Sequence, residues 1–257
     1  MKKGLLSFAV IVIVWVSIAF QCIAGKNKTE IPLYDTTVEK GIVLMELFTS
    51  QGCNSCPPAD EVLGNYASAG DDHIIPIAYH VDYWNRLGWT DTFSKRKFTQ
   101  RQEEYASKFE LGSIYTPQLI INGQKELVGS DRSRIAALVN GFLKEASILT
   151  IKISSTVMAE SKLVINYSVN KILTGSSINA VLILDSITTV IRAGENRGLE
   201  LVNHNVVQDF SSSHLSGTIG NITLKIPYGK LKTGSSIVLF VQDEVNGKIS
   251  GAVKVKL

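Results

Sequence analysis

The pair in Cys53-Asn54-Ser55-Cys56 constrains this chain more than any other feature. It lies between an apolar run that suits a buried strand, Ile42 to Phe48, and a stretch of helical composition, Ala59 to Ala69, that stops at Gly70. Cysteines three apart at a helix mouth can bring their sulfurs within bonding range. The helix dipole and free N–H groups there favour a thiolate, which is the species that attacks a disulfide. Structural loops and zinc sites use the same spacing. A closed zinc site takes four ligands, and the chain offers three Cys and four scattered His.

The N-terminus bears on the redox setting. Lys2 and Lys3 precede an almost wholly apolar stretch, Leu5 to Phe20, and a cut after Ala24 has small residues at −1 and −3. This pattern predicts a secretory signal peptide over residues 1–24 and a periplasmic or secreted product. An uncleaved membrane anchor is the alternative, and the only membrane contact expected. Cleavage also removes Cys22 and leaves Cys53 and Cys56 as a lone pair. In an exported chain such a pair points to thiol–disulfide chemistry or to a small structural disulfide. The chain is 45% hydrophobic and 19% charged, enough to form a packed core. A formal charge of +3 with no Lys/Arg block argues against nucleic acid as a partner. No Gly-rich phosphate loop is present, so no organic cofactor is expected.

Further along, Ile74 to Tyr79 reads as a second buried strand. Ser94 to Phe109 reads as a helix with Phe98, Tyr105 and Phe109 on one face. Thr116-Pro117 leads into Leu119 to Ile121, Asn122-Gly123 is a strong hairpin signal, and Lys125 to Val128 is the return strand. Asp131 to Glu145 reads as a helix with Asp131 or Ser130 as its cap. Strand, CxxC and helix, strand, helix, Pro-led hairpin, helix is the order of a thioredoxin fold, in which that proline is cis and lies against the Cys pair. After Ile148 seven short strand-like segments, Leu149–Ser155, Lys162–Val169, Ile178–Asp185, Val202–Asp209, Gly217–Ile226, Ile237–Gln242 and Ile249–Val255, alternate with Gly/Ser/Asn turns, the pattern of a β-sandwich. The expected fold class is therefore an α/β thioredoxin-like domain over residues 25–147, followed by an all-β sandwich-like domain over residues 148–257. Pro57 and Pro58 each restrict the residue before them, which predicts a late start for the first helix.

Glu46 lies seven residues before Cys53 in the first strand. Thioredoxins carry a buried acid in the corresponding strand, so Glu46 is a candidate general base with a raised pKa. A salt-bridged strand residue is the equal alternative. His80 is a candidate proton shuttle, or a third ligand beside Cys53 and Cys56 for a soft metal such as Cu(I), with Asp82 to orient it. A structural histidine in an aromatic loop is the plainer reading. Trp84 and Trp89 either wall a groove beside the Cys pair or belong to the core. Glu195-Asn196-Arg197-Gly198 and Asn203-His204-Asn205 read as turn and hydrogen-bonding residues.

The strings Met45-Glu-Leu-Phe-Thr-Ser-Gln-Gly-Cys-Asn-Ser-Cys-Pro-Pro-Ala-Asp60, Ala78-Tyr-His-Val-Asp-Tyr-Trp84, Phe98-Thr-Gln-Arg-Gln102, Tyr115-Thr-Pro-Gln118, Val128-Gly-Ser-Asp131 and Glu195-Asn-Arg-Gly198 with Asn205-Val-Val207 carry a resemblance. Together they resemble a bacterial secreted family catalogued as domain of unknown function 1223, within the thioredoxin-like superfamily. The resemblance implies an exported bacterial protein. By similarity to thioredoxins it also implies Cys53 as attacking thiol, Cys56 as resolving thiol and Pro117 as the substrate-facing proline. The expected activity is thiol–disulfide exchange with extracytoplasmic protein thiols or disulfides. The alternative is a Cu(I)-handling or protein-binding module with a structural disulfide.

Overall fold

A computed structural model describes residues 40–226 and 231–257. The predicted signal segment lies outside the described residues. Among those residues no helix is long and apolar enough to cross a membrane.

The first strand, β1 (Val43–Thr49), is buried along its whole length. It runs parallel to β2 (Ile74–His80) on one side and antiparallel to β3 (Gln118–Ile121) on the other. A strand buried on both faces reads as a near-continuous apolar run, and this one is interrupted only by Glu46 before it ends at Thr49. Between β1 and β2 lies α1 (Pro57–Ala69), which ends at Gly70 in the left-handed conformation. The predicted late start of this helix does not occur. Pro57 and Pro58 take its first two positions, where no N–H is needed, and Cys56 is the N-cap. After β2 a long loop over residues 81–95, with one turn of 3-10 helix at Asn85–Leu87, leads to α2 (Arg96–Lys108). The hairpin of β3 and β4 (Lys125–Val128) turns at Asn122 and Gly123, with φ 50° and 64°. A side chain at Gly123 would place its Cβ 1.8 Å from the Gly247 carbonyl oxygen. Asp131 caps α3 (Arg132–Phe142) by accepting from the Arg134 amide.

Seven strands follow: β5 (Ile151–Ala159), β6 (Lys162–Val169), β7 (Ser176–Val190), β8 (Glu200–His214), β9 (Ile219–Lys225), β10 (Ser235–Asp243) and β11 (Ile249–Lys256). They do not form a sandwich of their own. Four of them continue the first sheet, in the order β11-β10-β7-β8-β2-β1-β3-β4, while β5-β6-β9 form a second, three-stranded sheet. The join is the parallel pairing of Ala78 in β2 with Val206 in β8. The expected fold class is thus overturned. The described chain is mostly β, an eight-stranded mixed sheet plus a three-stranded sheet, and three α-helices are present among the described residues.

Core packing explains this outcome. One face of the large sheet carries a single core under α2, with Leu44, Phe48, Ile77, Tyr79, Val181, Ile183, Val207, Val238 and Phe240. The other face carries two cores. Val43, Met45, Leu47 and Leu119 pack with α1 and α3 through Val62, Leu63, Ile135 and Val139. Ile178, Ala180, Leu182, Ile237 and Leu239 pack against Leu163, Ile165, Tyr167, Ile222 and Leu224 of the small sheet. Alternate residues of β7 and β10 therefore serve different cores. Such strands must lie inside a sheet covered on both sides.

Candidate functional site

Cys53 and Cys56 form a disulfide with their Cα atoms 5.4 Å apart. Both residues are 0% exposed, whereas Asn54 and Ser55 between them face solvent. The first helical positions of α1 are spent. Pro57 and Pro58 have no N–H, and the amides of Ala59 and Asp60 donate to the Cys56 carbonyl at 2.9 and 3.0 Å. The helix mouth therefore offers the sulfurs its dipole but none of these amide donors.

Hydroxyl groups take their place. The Thr116 hydroxyl donates to Cys53 Sγ at 3.3 Å, and the Ser55 hydroxyl lies 3.3 Å from the same sulfur. Thr116 itself accepts from the Trp84 indole N–H at 2.7 Å. The Thr116–Pro117 bond is cis, as anticipated, and Pro117 is buried beside β3.

The β7–β8 hairpin closes over the loop. Asn196 donates to the carbonyls of Gln51 and Cys53, each at 2.9 Å. The Asn54 amide donates to Glu195 at 3.3 Å. The Gln51 side chain is held by Thr189 and Asn203 of the hairpin strands, and accepts from the Trp89 indole N–H at 3.2 Å. Both tryptophans thus flank the Cys loop, and the polar cluster around Asn196 and Asn203 builds the site. That role was missed because the cluster lies some 140 residues from the cysteines, with |i−j| of 143 for Cys53 and Asn196.

Behind the disulfide is a buried polar cluster. His80 is oriented by Asp91, with Nδ1 2.6 Å from the carboxylate. Asp82, the expected partner of His80, accepts from Thr99 instead. Asp91 also accepts from the Gln51 amide at 2.9 Å, which ties the cluster to the Cys loop. Burial depresses the basicity of His80, but the Asp91 charge and hydrogen bond, with Asp60 behind them, leave its pKa raised. Asp91 is lowered on balance: burial opposes its charge, and His80 together with two amide donors outweighs that. Asp60, in the first turn of α1, accepts from Thr49 at 3.2 Å. Burial pushes its carboxyl up to about 7, against a lesser pull from His80. Asp60 Oδ1 and His80 Nε2 are both buried without a hydrogen-bond partner.

Glu46 is placed elsewhere. Its carboxylate is bound by Arg101 Nε at 2.7 Å and by the Tyr105 hydroxyl, both on α2. None of these contacts reaches the Cys loop. Of the residues singled out from the sequence, Cys53, Cys56 and Thr116-Pro117 come together. His80 sits behind them, and Glu46 stands in an ion pair under α2. Among the described residues no group of three His, Cys, Asp or Glu side chains is placed to hold a metal ion.

The fold and this site define a disulfide-bearing protein whose CxxC loop is completed by a distant hairpin. Residues 44–242 match the model of the family described as protein of unknown function DUF1223, and the chain belongs to that family. It is similar to the crystal structure of protein AGR_C_4864 from Agrobacterium tumefaciens, with 27% identity and a TM-score of 0.65 over 84% of this chain and 95% of that one. It shares its fold with HBP35 of Porphyromonas gingivalis, with 15% identity and a TM-score of 0.60 over 85% of this chain and 76% of that one. No curated protein sequence matches the chain.

The clasp has a measurable consequence. Asn196→Ala removes the amide donor that the Gln51 and Cys53 carbonyls share, leaves the Cys53 carbonyl only the Cys56 N–H, and is expected to speed reduction of the disulfide by dithiothreitol about tenfold, since two net hydrogen bonds contribute roughly 0.5–1.5 kcal/mol each. An unchanged rate in a folded variant would show that the hairpin does not govern access.

Proposed function

We propose that this protein is an exported thiol–disulfide oxidoreductase that exchanges electrons with protein thiols through Cys53 and Cys56. The observation that carries the reading is the convergence of the Thr116 and Ser55 hydroxyls on one sulfur of a disulfide at a helix N-terminus. A purely structural cross-link has no need of donors aimed at one of its sulfurs. The basic-then-apolar N-terminus supports an oxidising compartment.

The exchange balances in two steps. A partner thiolate attacks Cys53 Sγ, the Cys53–Cys56 bond breaks, and Cys56 leaves as a thiolate that takes up a proton. A second thiolate of the partner then attacks its own sulfur in the mixed disulfide and releases Cys53 as a thiolate. The partner loses two electrons and the Cys pair gains them. Run in reverse, the same steps reduce a partner disulfide, with Cys53 attacking and Cys56 resolving.

A second reading also has an observation behind it. Both cysteines are fully buried, as in a structural disulfide within a protein-binding module. The reduction potential separates the two. Equilibration with glutathione or dithiothreitol is expected to give a value between roughly −270 and −120 mV, whereas a value below about −300 mV would establish the structural role. Under the redox reading Cys56→Ser accumulates mixed disulfides with protein partners in vivo, and Cys53→Ser does not.

A further inference from the structure

We propose that Trp84 and Thr116 act as positioning residues, forming a directed hydrogen-bond chain that sets the thiolate of Cys53. The inference deepens the redox reading and rests on it for its biological meaning.

The argument turns on how few ways this chain can be protonated. An indole N–H can only donate. At 2.7 Å from Thr116 Oγ1, it makes that hydroxyl the acceptor. The single hydroxyl proton is then free to point elsewhere, and it points at Cys53 Sγ, 3.3 Å away. Without Trp84, the hydroxyl could rotate and accept from a water or from Ser55. With Trp84, one lone pair of the hydroxyl is occupied and its proton is left for Cys53 Sγ, while the neighbouring Tyr83 hydroxyl, also set against Thr116, stays neutral because burial raises its pKa. Ser55 is less committed, because its hydroxyl is shared between Cys53 Sγ at 3.3 Å and the Thr116 carbonyl at 3.5 Å.

The chain matters more here than in a helix with free amides at its start. Pro57 and Pro58 remove two N–H groups, and the next two amides are bound to the Cys56 carbonyl. The Cys53 amide is bound to the Ser50 carbonyl and the Cys56 amide to the Cys53 carbonyl. Hydroxyl donors thus supply the stabilisation that backbone amides supply at an ordinary helix mouth. They serve only one sulfur: among the described residues no hydrogen bond reaches Cys56 Sγ. The chain therefore distinguishes the two cysteines, and favours Cys53 as both the attacking and the departing thiolate. The charged groups around the loop do not make this distinction for it. Glu195 on the hairpin binds the Asn54 amide and opposes a nearby thiolate when ionised. So does Asp60 on α1 once it is ionised, while the buried His80–Asp91 pair lies under Gln51.

The test uses the full chain, reduced with dithiothreitol. It is alkylated by iodoacetamide across a pH series, and peptide mass spectrometry reports Cys53 and Cys56 separately. Restricted access slows a rate at every pH alike, so the midpoint still reports the thiol pKa. Thr116→Val removes the donor and keeps the shape. Its Cys53 midpoint is expected to rise by about one pH unit, a roughly tenfold loss of thiolate near neutral pH. Thr116→Ser is expected to restore most of that loss. Trp84→Phe keeps a ring but frees the hydroxyl, and is expected to raise the midpoint by a smaller amount. The Cys56 midpoint should stay in place throughout. Unchanged Cys53 midpoints in folded Thr116→Val and Trp84→Phe proteins would overturn the inference, and so would an equal shift at both cysteines. A wild-type reduction potential in the structural range would sink the redox reading alone, since the alkylation midpoints still report the hydrogen-bond chain.

Discussion

Replacing Asp60 with Asn is expected to stabilise the protein at pH 8 by up to about 4 kcal/mol, and to remove the fall in stability that this carboxyl causes between pH 4 and 7. The folded carboxyl holds its proton to about 7, against 3.8 ordinarily, chiefly because burial penalises its charged form. Below pH 4 the group is protonated in both folded and unfolded chains and costs nothing. As pH rises, the unfolded chain releases the proton first, so stability falls until the folded carboxyl also ionises near pH 7, and then levels off. An asparagine cannot ionise, yet its oxygen can still accept from the Thr49 hydroxyl. Urea denaturation of both proteins at pH 4 and pH 8 measures the effect. Parallel stability–pH curves for the two proteins would refute it. The same substitution removes a negative charge that helps to keep His80 basic, so the His80 midpoint, followed by NMR, should fall.

Glu46→Ala is expected to cost about 3–5 kcal/mol, because it leaves a buried guanidinium without its counter-charge. Arg101 is 4% exposed. Its guanidinium carbon lies 4.8–5.7 Å from the ring centroids of Tyr79, Tyr105, Phe210 and Phe240. Burial alone depresses its basicity, and Glu46 with the surrounding tyrosines more than reverses this. Aromatic faces attract a cation, but they do not replace a carboxylate that binds the guanidinium directly. The double variant Glu46→Met/Arg101→Met removes both charges at once and should lose far less than the single one. Guanidinium chloride unfolding of the three proteins forms the cycle. A loss below about 1 kcal/mol in the single variant would mean that solvent reaches Arg101.

The short-range features were legible in the sequence. The Asn122-Gly123 turn, the Asp131 cap, the Gly70 stop and all seven later strands left local signals that the backbone follows. The choice of sheet left none. Ile178 to Asp185 reads the same whether its strand builds a separate sandwich or continues a sheet begun before residue 50, because burial on both faces produces the same apolar run in either case. β7 also runs on past Asp185 and Ser186 to Val190, because Ile187, Thr188, Thr189 and Val190 are β-branched residues that suit a strand. At the site, the Cys pair and Thr116-Pro117 announced themselves through spacing. Asp91 did not, because a lone aspartate in a polar loop carries no pattern. A carboxylate in the first turn of a helix ordinarily suits the helix dipole, and for Asp60 the cost of burial outweighs that benefit. Pro57 and Pro58 were read as obstacles to the helix and prove to be its first residues.

The hairpin that clasps the Cys loop comes from a stretch made long after the cysteines themselves. Chains are synthesised from the N-terminus, so Cys53 and Cys56 emerge well before Thr189, Asn196 and Asn203 exist to cover them. Throughout that interval the Gln51 and Cys53 carbonyls lack the Asn196 amide that binds them in the folded protein. Once the hairpin docks, its hydrogen bonds to Gln51, Cys53 and Asn54 hold the loop that carries the pair. The loop around the cysteines thus takes its final form only after a stretch of chain some 140 residues downstream has been made and folded back.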